Sequence, residues 1–74
     1  MFSVKFTNGQ FLGMSMSKGF IFAMNENFRY TFDSIAQIEK TEKYFCNCVG
    51  EYSFTIMDNQ LNEISYIQLL PNCN

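Results

Sequence analysis

The sequence predicts a mainly β fold with one short helix. An antiparallel β-meander of four strands comes first, then a short helix near residues 33–39, then two or three more antiparallel strands. The whole is expected to curl into a small barrel or sandwich, with a ββββαββ arrangement of the α+β class as the alternative. Three observations predict this. Apolar and polar residues alternate with a period of two from Phe2 to Phe32, with the apolar set on even positions. Short turn signals containing Gly or Asn interrupt that alternation at regular intervals. Nine Phe and four Tyr among 74 residues supply a core, because each aromatic buries a large area.

Phe2, Val4 and Phe6 alternate with Ser3, Lys5 and Thr7, as in a half-buried strand. Asn8-Gly9 invites a two-residue turn, but that register would put Leu12 and Met14 on the wrong face. A three-residue loop, Thr7-Asn8-Gly9, pairs Val4 with Leu12 and Phe2 with Met14 and sets Gly9 at the left-handed position. Ser17-Lys18-Gly19 repeats the device and pairs Met16 with Phe20 and Met14 with Phe22. Asn25-Glu26-Asn27 then pairs Met24 with Phe28 and Phe22 with Tyr30, which completes the meander.

The alternation breaks at Asp33. Asp33-Ser34 suits a helix cap, and Ile35 and Ile38 stand three apart. Glu39, Lys40, Glu42 and Lys43 would suit the solvent face of a helix reaching Phe45, whereas Thr41, Tyr44, Phe45 and Val49 favour strand. The shorter helix is preferred, with Cys48-Val49-Gly50 closing a hairpin that pairs Cys46 with Tyr52 and Tyr44 with Phe54. Tyr52, Phe54 and Ile56 form the next strand, and Asp58-Asn59 marks a turn. The last strand, 63–70, carries Ile64, Tyr66 and Leu70 on even positions and Ile67 and Leu69 on odd ones. It is therefore apolar on both faces. Pro71 stops it, and Asn72-Cys73-Asn74 reads as a tail. Residues 1–74 are expected to form a single domain.

The composition excludes several function classes. Five basic against seven acidic residues leave a net charge of −2, so a basic nucleic-acid footprint is missing. The acidic residues are scattered rather than arrayed, which argues against a DNA mimic. The chain has no His, which removes the commonest general base and the commonest metal ligand, and with them Ser-His and Cys-His nucleophile pairs. The four Gly have no phosphate-loop spacing. Cys46-Asn47-Cys48 is too small a ligand set for zinc and is expected to be a pair of core or near-core thiols. The carboxylate pairs Glu39/Glu42 and Asp58/Glu63 read as surface charges. No metal or other cofactor is expected.

An odd number of Cys with no secretory signal predicts free thiols and a cytoplasmic location. No apolar run is long enough for a membrane helix, so no membrane partner is expected. Nine Phe, eight Asn, six Ile, two Ala, one Arg and no Trp suggest AT-rich coding, as in phages, mobile elements and low-GC bacteria among others.

The remaining lead is the odd face. It is mostly polar, and its apolar exceptions are Phe11, Ile21, Met57, Ile67 and Leu69, the candidate protein-binding residues, with burial inside a closed barrel or sandwich as the equal alternative for some of them. The expected function is accordingly a non-enzymatic protein-interaction module, with a phage or mobile-element inhibitor of a host defence protein as one form of it. A small structural or homo-oligomeric component, dimerising through the C-terminal strand, is the second reading. A small ligand-binding barrel is the third.

Overall fold

The computed structural model describes residues 1–71. Five antiparallel strands form one sheet: β1 (Ser3–Phe6), β2 (Phe11–Ser15), β3 (Gly19–Ala23), β4 (Ser53–Met57) and β5 (Glu63–Gln68). Their spatial order is β3-β2-β1-β4-β5. One helix, α1 (Ile35–Val49), packs on one face of the sheet. The fold is mainly β with one helix, as the sequence predicts. The sheet stays open, however, so the expected barrel or sandwich does not form, and there is no barrel interior in which to hold a ligand.

The even-numbered face is the face that meets the helix. Val4, Phe6, Leu12, Phe20, Phe54 and Ile56 are buried in one cluster with Ile38, Phe45 and Cys46 of α1. Phe45 sits at its centre, with its ring 5.3–6.2 Å from those of Phe6, Phe20, Phe32 and Phe54. Edge-to-face geometry dominates these contacts, which is the favourable arrangement for ring quadrupoles.

The first hairpin closes through Thr7-Asn8-Gly9. Gly9 donates its N–H to the Phe6 carbonyl at 2.9 Å and takes φ +89°. A side chain at that φ would be strained although the space beside it is empty. Lys5 faces Phe11, so Val4 and Leu12 share the core face. The second hairpin keeps the expected faces but is shifted by two residues. Met14, not Met16, lies opposite Phe20, and Ser15 lies opposite Gly19. Ser15 Oγ accepts from the N–H groups of Ser17 and Lys18 at 3.3 Å, which draws Met16 into the loop. A shift of two residues preserves the side-chain faces, so the apolar pattern alone does not distinguish the two registers.

The third expected hairpin and the fourth strand of the meander are absent. Asn25 caps a single 3₁₀ turn, Glu26–Phe28, by accepting from the Asn27 N–H at 2.9 Å. The chain then wedges between β1 and β2 where these diverge. Tyr30 donates to the Leu12 carbonyl at 2.7 Å, and Phe2 and Phe32 exchange main-chain hydrogen bonds of 2.8 and 2.7 Å. Phe2 therefore pairs with Phe32 rather than Met14. Gly13 makes this passage close: a Cβ there would lie 3.1 Å from Ala23 Cβ and 3.3 Å from the Phe28 carbonyl.

The helix is longer than the expected 33–39 and consumes the hairpin expected at Cys48-Val49-Gly50. Ser34 accepts from the Gln37 N–H at 3.2 Å, and the Gln37 side chain reaches back to the Asp33 N–H at 3.0 Å, a reciprocal cap. Gly50 ends the helix in the left-handed region, donating to the Cys46 carbonyl at 2.8 Å. Ile35, Ile38, Phe45, Cys46 and Val49 form its apolar stripe.

At β5 the parity reverses. Phe54 faces Ile67 and Thr55 faces Tyr66, with a bulge between Ile56 and Met57. Ile67 and Leu69 thus lie on the core side, and the even residues Ile64, Tyr66 and Leu70, expected in the core, are exposed.

Candidate functional site

The face of the sheet away from the helix carries Ser3, Lys5, Phe11, Gly13, Ile21, Ala23, Thr55 and Met57. Its buried apolar members form one group, and a second apolar group lies at the β2–β3 end of the sheet and draws on both faces. Phe11 (7% exposed), Ala23 (3%) and Met57 (5%) form a second small core, with Leu61 packed against it. The Lys5 ammonium lies 5.5 Å from the centre of the Phe11 ring. Leu61 is positioned by a loop that Asp58 organises: its carboxylate accepts from the N–H groups of Gln60 and Asn62 at 2.8 and 2.9 Å. Those bonds hold the Asp58 carboxyl below its ordinary value, led by the Asn62 N–H. The stability they contribute is present above the ordinary carboxylate range and is lost as pH falls through the lowered value.

The second group is exposed at Met14, Met24 and Phe28 and half-buried at Ile21. Gly13, Met14, Ile21, Met24 and Phe28 line an open groove of about 250 Å³ at the β2–β3 end of the sheet, and every lining residue is apolar. Met14 is 46% exposed, Met24 91% and Phe28 67%. The groove lies beside β3, whose outer edge pairs with no other strand among the described residues. Phe28 of the 3₁₀ turn borders it, and the absence of a Cβ at Gly13 lets the Phe28 carbonyl and Ala23 come close there.

The five residues expected to bind a partner are not gathered in one patch. Ile21 lines the groove. Phe11 and Met57 are buried in the second core. Ile67 and Leu69 are half-buried against the main core. Parity places Met14, Met24 and Phe28 in the core, yet they are exposed. One signal available in the sequence is their placement at strand ends beside turns, where parity loses its grip on burial.

The thiols are also separated. Cys46 and Cys48 lie on a helix, where a spacing of two points them to different sides. Cys46 is buried and Cys48 exposed. Burial, with a smaller effect from the Glu42 charge, pushes the Cys46 thiol up to about 12, so it stays protonated and unreactive at neutral pH. Cys73 lies outside the described residues. No group of three or more His, Cys, Asp or Glu able to hold a metal occurs among the described residues. Of the carboxylate pairs, Glu42 is raised, by its partial burial first and by Glu39 second. No helix among the described residues is long and apolar enough to cross a membrane.

No family model, curated protein or solved structure matches the chain.

Proposed function

We propose that the chain is a non-enzymatic protein-interaction module that binds through the Met-rich end of the sheet. The observation that carries this reading is the exposure of Met14, Met24 and Phe28 around a groove lined by apolar residues. Clustered exposed apolar side chains mark contact surfaces, and flexible Met side chains adapt to a partner's shape. An inhibitor from a phage or mobile element would be a narrower form of the same role, motivated by size and coding bias alone.

The test places a photo-crosslinking residue at position 28 and, as a control, at position 39 on the exposed helix surface. A specific adduct at 28 that disappears in Met24→Lys supports the reading. Equal capture at both positions, or capture indifferent to Met24→Lys, overturns it.

A second reading, self-association through the C-terminal strand, is favoured by a different observation. β5 is an edge strand, and Ile64, Tyr66 and the adjoining Leu70 are 42%, 58% and 92% exposed.

A further inference from the structure

We propose that β5 pairs antiparallel with β5 of a second copy, in the register that sets Ile67 opposite Ile67 across a twofold axis. This rests on the self-association reading and specifies its geometry.

The outer edge of β5 presents open main-chain groups. Leu69 donates to the Tyr52 carbonyl at 2.8 Å, and Phe54 faces Ile67 in the same ladder. Hydrogen-bonded and non-hydrogen-bonded pairs alternate in an antiparallel ladder. Ile67 and Leu69 therefore direct their N–H and C=O at β4, while Tyr66 and Gln68 direct theirs outward. An apolar surface does not satisfy these groups, but another strand does.

The bulge in β5 also restricts the register. The bulge makes the β5 backbone irregular near Ile64, so regular pairing starts at Ser65. Centring the twofold on Ile67 pairs Tyr66 with Gln68 of the second copy, twice over, giving four new main-chain hydrogen bonds from regular residues alone. Centring it on Tyr66 gives two such bonds and forces Ile64 into the ladder.

Charge does not oppose this pairing. Glu63 is the one charged residue of β5. The Ile67-centred register puts the two Glu63 residues on the order of 25 Å apart along the strands. That is several Debye lengths at physiological salt, so they do not oppose association. Nor does β5 carry the Lys or inward charge with which edge strands usually discourage pairing. The side chains agree as well. Ile67 meets Ile67 on the helix side, where both are only half-buried in one copy, and Ile64 approaches Leu70 on the other face.

The test uses the full chain. Sedimentation from about 10 µM to about 1 mM should show mass doubling. Gln68→Pro removes an outward N–H and leaves the β4 ladder untouched, so it should give a folded monomer by circular dichroism. Should that variant unfold, Tyr66→Lys with Gln68→Lys provides the same comparison through exposed side chains. In a Cys48→Ser, Cys73→Ser background, Ile67→Cys should form an intermolecular disulfide with oxidised glutathione. Tyr66→Cys should not, because its twofold mates lie more than about 7 Å apart. A monomer at every concentration overturns both this pairing and the self-association reading. A dimer that survives both edge variants, or that crosslinks at 66 rather than 67, overturns this pairing and leaves self-association standing. Open-ended polymers would indicate β5 meeting β3 head to tail and also overturn it.

Discussion

Cys46 shows how one side chain reports the whole packing arrangement. Its thiol is buried in the main core beside Phe45 and stays protonated up to about pH 12 in the folded chain. The unfolded chain loses that proton near the ordinary thiol value of 9.0. The unfolded state therefore binds fewer protons between those values, so stability holds below about 9 and falls as pH rises toward 12. Urea midpoints measured at about pH 8 and about pH 10.5 should show that fall, and Cys46→Ala should flatten it relative to the parent. In a Cys73→Ser background, Cys48 should react with a thiol reagent at once. Cys46 should react at least about a thousandfold more slowly, because it must wait for the core to open. Equal rates would show that Cys46 is not in the core. The sequence alone places Cys46 among small core thiols, but on the wrong element, so it pairs Cys46 with Cys48 when the helix turns them apart.

At the scale of elements, the N-terminal cap decides where the helix begins. Ser34→Ala removes the acceptor for the Gln37 N–H and should cost about 1 kcal/mol, read from the shift in urea midpoint. Gln37→Ala should cost less, because the long Gln side chain gives up rotamer freedom to reach Asp33 and Ala is the better helix former. The cap residues are legible in the sequence, and so are β1, β2, β3 and β4 and the loop around Gly9. The length of the helix is not, because Thr41, Tyr44, Phe45 and Val49 individually prefer strand. The stripe of Ile35, Ile38, Phe45 and Val49 outweighs that preference once it has a sheet to cover. The fourth strand fails for a complementary reason. Tyr30 and Phe32 do alternate into the core, but the chain reaches them by wedging between β1 and β2, which period-two reasoning does not describe. The same limit hides the groove, whose walls come from a 3₁₀ turn and two strand ends rather than from one face.

For the molecule as a whole, one aromatic holds the two layers together. Phe45 is fully buried and touches rings from β1, β3 and β4 and from the wedge. Phe45→Ala should cost about 3–5 kcal/mol. Chains of this size typically have about 4–11 kcal/mol in total. Loss of cooperative thermal unfolding, or a large drop in urea midpoint, is the expected outcome; a change under about 1 kcal/mol would show that the rings are not packed as described. The sheet order carries a further consequence, for assembly in time. β2 and β3 close on each other through three residues, and α1 is local, so both can form early. β1 has one paired position with β2 but four with β4, about fifty residues further along the chain. The first of the five strands in chain order occupies the centre of the sheet and waits longest for its main partner. Completion of the core is thus tied to the arrival of β4, and until then the apolar face of β1 is open to the wrong strand.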